Sequence, residues 1–294
     1  MQFVITLIAA PGKVVLPDAA AAVARTLGLR GTPDWLAPGI ACDLALDDIA
    51  PQEAEATTRQ ALGSAPVDVL VQPAKGRRKH LLAADLESTI IENEMLDELA
   101  DFVGLRAEVS EITRRAMNGE LDFKEALAAR VGLLKGLPAS VLDEAAKRIR
   151  LMPGARELVA TMRAAGARTL LVSGGFAAFA EPIAAQLGFD RLLCNRLDIA
   201  GGRIAGTVSP PIVTREVKRE ALLALAEECG MQPAETVAIG DGANDLPMLQ
   251  AAGLGIAFRA KPAVAAAARC RLDHADLTGV LYALGYRRGE IVSS

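Results

Sequence analysis

The sequence predicts an α/β fold in which a parallel sheet carries helices on both faces, with an inserted helical bundle and a small α+β unit in front. Three observations predict it. Strand and helix patterns alternate from Pro153 onward, which indicates a buried parallel sheet. Four helical patterns follow one another between residues 92 and 152, separated by short Gly and Pro breaks. Residues 1–76 show a separate β-α-β-α-β pattern.

The N-terminal unit has apolar, β-branched runs typical of strands in FVITLIA, IACDLAL and VDVLVQ. The helical patterns PDAAAAVARTLG and PQEAEATTRQALG lie between them. A basic, Gly-containing stretch, AKGRRKH, follows at residues 74–80 and indicates a linker. We therefore expect one domain over residues 1–76, which offers no cluster of catalytic residue types, and a second over residues 77–294.

The second domain opens with the strand HLLAADL and continues into the helical insert. Its helices are ENEMLDELADFV, RAEVSEITRRAMNG, DFKEALAARVGLLKG and PASVLDEAAKRIR. The strands that follow are ARTLLVSGG, RLLC, TVAIGDG and LGIAF, and LDIAGGRIAGTV indicates a hairpin with Gly201-Gly202 at its turn.

Composition excludes several classes of function. Aromatic residues make up only 3% of the 294 residues and the net charge is -4 with scattered cations, which argues against a nucleic-acid surface. No run reaches the roughly 18 apolar residues of a membrane span, and the short N-terminal run has no basic residues before it. The four cysteines are far apart, which is typical of reduced thiols. We expect a cytoplasmic enzyme.

Polar or glycine-rich stretches follow three predicted strands, where ligands bind in open parallel sheets. They are Asp85-Leu86-Glu87, Ser173-Gly174-Gly175 and the stretch GDGAND, residues 240–245. Lys218 lies in the helical pattern before the third stretch. Taken singly, these features are ordinary helix starts, turns and surface charges. Their combination at strand ends is what favours a common site.

The residue types of these stretches suit phosphoryl transfer. Asp85 and Asp241 offer hard oxygen ligands for Mg²⁺. Ser173 and the backbone N–H groups near Gly174 can bind phosphate oxygens, and Lys218 supplies a positive charge. A carboxylate can also act as a nucleophile and form an aspartyl-phosphate.

Dense motifs between residues 79 and 285 carry a family resemblance: LESTIIENEMLDELA, LVSGGF, CNRL, VAIGDGANDLPML and GIAFRAKP. The chain resembles the haloacid dehalogenase-like superfamily of aspartate-nucleophile phosphatases, and within it the phosphoserine phosphatases. P-type ion pumps share a similar G-D-G-x-N-D stretch but need membrane spans. The resemblance implies a Rossmann-like core with a helical cap at about residues 92–152. It also implies Mg²⁺-dependent hydrolysis of O-phosphoserine through an aspartyl-phosphate, the last step of L-serine biosynthesis.

The resemblance also implies roles for individual positions. Asp85 would be the nucleophile and Glu87 the general acid and base. Asp85, the backbone carbonyl of Glu87 and Asp241 would hold Mg²⁺. Glu94 would pair with the substrate ammonium and Arg130 with its carboxylate. The implied substrate-binding set is Glu94, Met117, Phe123, Arg130, Ser173, Gly174, Lys218 and Asn244, with Asp245 in support.

Glu87 departs from the family pattern, which usually has Asp at this position. Glu keeps the carboxylic acid but adds a methylene, which puts the rate in question. Two alternatives to phosphoserine hydrolysis therefore stay open. One is a phosphatase for another small ester, such as phosphothreonine or homoserine phosphate. The other is a serine-binding regulatory protein with an impaired site.

The N-terminal unit resembles amino-acid-sensing ACT-type domains by its β-α-β-α-β pattern alone. A packing or dimerisation domain without a ligand is an equal alternative. For the whole chain we expect a small-molecule substrate and no nucleic-acid or membrane partner, with homodimerisation left open.

Overall fold

The computed structural model describes residues 2–13, 15–46, 48–117 and 121–293, except for the side chains of residues 116 and 117. Within these residues the strands form two sheets, one of four strands and one of seven. Apart from one edge strand, the larger sheet is parallel and has helices packed against it. The predicted α/β fold class, with a small α+β unit in front, is therefore confirmed.

The smaller sheet belongs to the first 73 residues. Its elements are β1 (Phe3–Ala9), α1 (Leu16–Leu27), β2 (Asp34–Ala37), β3 (Ala41–Leu46), α2 (Pro51–Leu62) and β4 (Val67–Pro73). The strand order is β2-β3-β1-β4 and every pair is antiparallel. The sequence patterns did not predict β2, because Pro33 and Pro38 confine it to four residues.

The larger sheet has the order β11-β10-β9-β5-β6-β7-β8. Its strands are β5 (Leu81–Ala84), β6 (Arg168–Phe176), β7 (Arg191–Ala200), β8 (Arg203–Ser209), β9 (Thr236–Gly240), β10 (Leu254–Phe258) and β11 (Cys270–Leu272). Every pair is parallel except β7 and β8, which form the predicted hairpin with Ala200 opposite Arg203. The predicted short strand RLLC is the first part of the longer β7.

In the described part of the insert that follows β5 there are four helices: α3 (Met95–Phe102), α4 (Arg106–Met117), α5 (Phe123–Gly132) and α6 (Ser140–Ala146). The chain enters and leaves this cap side by side, because Met152 N donates to Ile90 O at 2.9 Å and Glu92 N donates to Arg150 O at 2.8 Å. The cap boundaries near residues 92 and 152 stay a prediction.

Among the described residues, six further helices belong to the larger domain: α7 (Ala155–Ala164), α8 (Ala177–Leu187), α9 (Arg215–Glu228), α10 (Leu246–Ala251), α11 (Pro262–Ala267) and α12 (Thr278–Ala283). The sequence patterns did not predict β11, α11 or α12. In the part of the chain that the structure describes, no helix combines the length and apolarity needed to cross a membrane.

The stretch AKGRRKH is anchored, which corrects its interpretation as a simple linker. Arg77 is largely buried and forms an ion pair with Asp43 of β3. Its guanidinium also donates to the carbonyl oxygens of Tyr282, at 2.9 Å, and Ala283, at 3.2 Å. On β4, the Asp68 carboxylate accepts three backbone N–H groups of residues 273–275. The two sheets are thus joined by specific polar contacts, and the domain boundary at residues 76 and 77 stays a prediction.

Candidate active site

The central strand β5 ends at the candidate site. Asp85 follows it directly, and its backbone N–H donates to Ile239 O of β9 at 3.0 Å. On the other side of β5 lies β6, which carries Ser173 near its carboxyl end. Because β5, β6 and β9 are parallel, Asp85, Ser173 and Asp241 lie at the same edge of the sheet. This is the arrangement that the strand-end pattern predicted.

Lys218 of α9 lies between two of the site carboxylates. Its Nζ is 2.7 Å from Asp85 Oδ1 and 2.7 Å from Asp245 Oδ1. The Lys218 side chain is only 1% exposed, so leaving it without an anionic partner would be costly. Burial opposes its charged form, but Asp245 and Asp85 outweigh that effect and raise the pKa of Lys218. The ammonium is therefore a fixed positive charge at the site.

The two carboxylates that contact that ammonium lie close to a third, that of Asp241. In the described part of the chain, Asp85, Asp241 and Asp245 form the one group whose ligand oxygens, within 4.8 Å of one another, could hold a metal ion. Burial and the neighbouring Asp245 raise the pKa of Asp85 to about 8, and the same two causes raise the pKa of Asp241 to about 7. This excess of buried negative charge and the all-oxygen donor set fit a hard divalent cation.

Asp245 is less available than the other two carboxylates. Its Oδ1 accepts from Lys218 and its Oδ2 accepts from Gly242 N at 2.9 Å. A Cβ at position 240 would lie 2.4 Å from Asp245 Cγ. A Cβ at position 242 would lie 2.2 Å from Asn244 Oδ1. The glycines of GDGAND therefore make room for the acidic and amide side chains that follow them.

Glu87 lies on an irregular five-residue turn, Leu86–Ile90, closed by a 2.9 Å hydrogen bond from Ile91 N to Leu86 O. Its Oε1 accepts from Met95 N, the first residue of α3, at 3.0 Å. A Cβ built on Gly175 would lie 3.0 Å from the Glu87 carboxyl carbon. The longer side chain is thus seated between the start of the cap and the glycine loop of β6.

The electrostatic surroundings of Glu87 favour its protonated form. Burial, Glu94 and Asp85 raise the pKa of Glu87 to about 8, although the Met95 N–H and Lys218 oppose this shift. The raised pKa favours the carboxylic acid form of Glu87, whereas at Asp85 the Lys218 ammonium, 2.7 Å away, favours the carboxylate. Glu87 can therefore donate its proton to a departing oxygen.

The structure brings most of the predicted cap residues to this edge. A Cβ on Gly174 would lie 3.8 Å from Phe123 Cζ, so the ring of Phe123 covers the glycine loop. Glu94 accepts a hydrogen bond from Ser88 Oγ at 2.7 Å. Burial lowers the pKa of Arg130, and Glu87, Asp97 and Glu94 oppose that shift through their charges. Met117 ends α4, and its side chain lies outside the described residues.

Sequence reasoning missed several contributors to the site. Thr89 Oγ1 lies 3.5 Å from Asp241 Oδ1. Asn195 of β7 donates to Gly174 O at 2.7 Å. The N–H of Met95 could not be foreseen, because backbone donors carry no residue-type signal. The only signal for Asn195 was its place in the motif CNRL, residues 194–197, where it is the single amide.

Comparisons with known proteins agree with this geometry. The family model for haloacid dehalogenase-like hydrolases matches residues 82–250. Phosphoserine phosphatase SerB2 of Mycobacterium tuberculosis is 41% identical over 290 residues, which cover 95% of this chain and 71% of that protein. The chain spans between 57% and 71% of the length of the first three curated relatives that it matches.

Two solved structures are similar over long stretches. One is a HAD family hydrolase from Salmonella enterica serovar Typhi, with a TM-score of 0.86 and 28% identity over 97% of this chain and 99% of that one. The other is a phospho-aspartyl intermediate analogue of phosphoserine phosphatase, with a TM-score of 0.66 and 38% identity. That similarity covers 70% of this chain and 98% of the other.

Proposed function

Because this chain belongs to the haloacid dehalogenase-like hydrolases, we propose that it hydrolyses O-phospho-L-serine to serine and phosphate through an aspartyl-phosphate. The observation that carries the proposal is the buried ammonium of Lys218, held 2.7 Å from both Asp85 and Asp245 at the carboxyl edge of the sheet. A fixed cation beside a carboxylate, with Ser173 on the next strand, suits attack on a phosphoryl group.

In the first step an Asp85 carboxylate oxygen attacks phosphorus and the bond from phosphorus to the serine oxygen breaks. Glu87 donates its proton to that oxygen, since an alkoxide is a poor leaving group. Lys218 and Ser173 bind the phosphoryl oxygens while the charge redistributes. The products of this step are serine and the phosphorylated side chain of Asp85.

In the second step water hydrolyses the aspartyl-phosphate. The Glu87 carboxylate left by the first step takes a proton from the attacking water, so the proton balance closes over one turnover. The bond from phosphorus to the Asp85 oxygen breaks, and phosphate leaves. The cap, which joins the core at residues 90–92 and 150–152, would exclude bulk water until serine departs.

Mg²⁺ is the cation that we assign to the carboxylate cluster. When bound, it would reduce the repulsion between the Asp85 carboxylate and the anionic ester. Asp85, Asp241 and the backbone carbonyl of Glu87 would hold it. Asp245 would act mainly by fixing Lys218, because its two oxygens already accept hydrogen bonds.

The cap supplies groups of the right charge for the rest of the substrate. Glu94 would pair with the substrate ammonium and Arg130 with its carboxylate, since a guanidinium binds a carboxylate with two parallel hydrogen bonds. Phe123 and Met117 would line the pocket, and Asn244 would support the phosphate side. We assign the first 76 residues to a packing or regulatory domain.

Phosphate release from O-phosphoserine, measured with and without EDTA, tests the function. We expect turnover with Mg²⁺ and none after chelation. Phosphothreonine and homoserine phosphate serve as competitors, and a higher kcat/KM for either would reassign the substrate. Serine binding without turnover on any ester would instead indicate a regulatory protein.

The Arg130→Ala variant should raise KM for phosphoserine by about 10- to 100-fold, because a charge-assisted pair contributes roughly 1.5–3 kcal/mol. It should hardly change the hydrolysis of p-nitrophenyl phosphate, which lacks a carboxylate. Steady-state kinetics on both substrates measures this difference. Lys124→Ala is the matched control, since Lys124 is an exposed cation on the same helix. Equal losses on both substrates would mean that Arg130 is structural.

A further inference from the structure

Strand β6 contains a bulge at the candidate phosphate site. Its ladder with β7 pairs Val172 with Leu193 and resumes only at Phe176 opposite Asn195. The three residues of the stretch Ser173–Gly175 therefore stand against one residue of β7. Residues in a bulge lose their regular ladder partners, and buried backbone groups without partners are costly. Something else must bind the carbonyl and N–H groups of this stretch.

The side chain of Asn195 supplies that partner. It is fully buried, its Nδ2 donates to Gly174 O at 2.7 Å, and its Oδ1 accepts from Val213 N at 2.8 Å. The Gly174 carbonyl can only accept and the Val213 N–H can only donate. The orientation of the amide is therefore fixed by its two partners.

The peptide unit between Gly174 and Gly175 is held at both ends. Its carbonyl oxygen accepts from Asn195, and its N–H donates to Ser173 Oγ at 2.9 Å. Because the Ser173 oxygen accepts that N–H, its own hydrogen remains free to be donated to another acceptor. Rotation of this peptide unit would break the hydrogen bond from Gly175 N to Ser173 Oγ. The Ser173 hydroxyl would then no longer be held with its hydrogen free for another acceptor.

Asn195 also connects β6 with the segment that carries Lys218. Val213 precedes Thr214, whose hydroxyl caps α9 by accepting from Val217 N at 3.4 Å. Lys218 lies one turn further along that helix. The two elements that supply a hydroxyl and an ammonium to the site thus meet at one buried amide.

We propose that Asn195 is a positioning residue, which directs the Ser173 hydroxyl toward the transferred phosphoryl group and fixes the β6 bulge against the start of α9. It acts through Ser173 rather than by contact with the substrate. This inference rests on the proposed phosphatase function and names a residue that the resemblance left without a role.

The test is a double-mutant cycle with Ser173. Asn195→Ala should lower kcat on phosphoserine by about 10- to 100-fold, since misplacement of a catalytic donor by about 1 Å can cost that much. The inhibition constant of orthophosphate should rise by roughly tenfold, by the same loss of a well-placed donor. In a Ser173→Ala background, the same Asn195 substitution should change kcat by less than about threefold, because the two residues act as a unit.

Two further variants separate positioning from general destabilisation. Gln72→Ala is the matched control, because Gln72 is a buried amide that donates to a backbone carbonyl, Ala283 O, remote from the site. It should leave the orthophosphate inhibition constant unchanged. Asn195→Leu, which nearly conserves volume, replaces Asn195→Ala if the alanine variant does not fold. Additive losses in the cycle, or an unchanged inhibition constant, would overturn the proposal. If the wild-type protein proves to hydrolyse a different ester, the cycle runs on that ester and still decides the role of Asn195.

Discussion

The Asp85→Asn variant should lose turnover on O-phosphoserine by about 10⁴-fold or more, the scale seen when a catalytic nucleophile is removed. An amide oxygen is a far weaker nucleophile than a carboxylate. The substitution is nearly isosteric, and Lys218 keeps Asp245 as an ion-pair partner. The fold should therefore survive. Acid quenching of the reaction with labelled substrate should trap a phosphoenzyme in the wild-type protein and none in the variant.

The matched control for this prediction is Asp18→Asn, an exposed carboxylate on α1 that is remote from the site. It should keep wild-type kinetics. Normal turnover by Asp85→Asn, or an undiminished phosphoenzyme signal, would rule out Asp85 as the nucleophile. The mechanism would then need another group to attack phosphorus.

The second large effect is expected at Glu87 and should depend on the leaving group. Glu87→Gln should slow aspartyl-phosphate formation from phosphoserine by about 10²–10⁴-fold, the usual contribution of general acid catalysis. Formation of the same intermediate from p-nitrophenyl phosphate should be slowed much less, because nitrophenolate leaves without a proton. Single-turnover rates with both substrates measure the first step alone. Equal losses would show that Glu87 is not a general acid, and the impaired-site alternative would gain support.

Glu87→Asp tests whether the site has adapted to the longer side chain. The shorter carboxyl would withdraw by roughly a bond length from the Met95 N–H, which now lies 3.0 Å away. We expect the variant to be active but slower than wild type, although Asp is the usual residue of the family here. If the Glu87→Asp variant turns over phosphoserine faster than the wild-type protein, the site has not adapted to the longer side chain, and Glu87 lowers the rate.

The sequence was most informative about residues at the carboxyl ends of parallel strands, because those ends lie together at one edge of the sheet. Asp85, Ser173 and Asp241 could be predicted to meet, because each follows or ends a strand of one parallel sheet. Strand order alone could not place Lys218 between Asp85 and Asp245, since that position depends on how α9 packs across the sheet; the family resemblance supplied Lys218. The role of Asn195 could not be predicted for a similar reason. It depends on a bulge in the neighbouring strand β6, which no local sequence pattern indicated.

The anchoring of Arg77 shows a different limit of sequence reasoning. A short basic stretch with a glycine has the composition of a linker, and composition gives no sign of a buried partner. Two of its partners are the carbonyl oxygens of residues 282 and 283, more than 200 positions further along the chain. Local patterns can identify a helix or a strand, but not a contact between segments so far apart.

This separation has a consequence for how the protein is made. The carboxylate of Asp68 and its backbone partners in residues 273–275 are 205 to 207 positions apart. At a synthesis rate of roughly 5–20 residues per second, those partners emerge about 10–40 s after Asp68 does. The N-terminal sheet can fold on the ribosome during that interval, and the Arg77–Asp43 ion pair can form within it. The face of that sheet that carries Asp68 stays undocked until β11 and α12 arrive, so docking of the two sheets is a late event in biosynthesis.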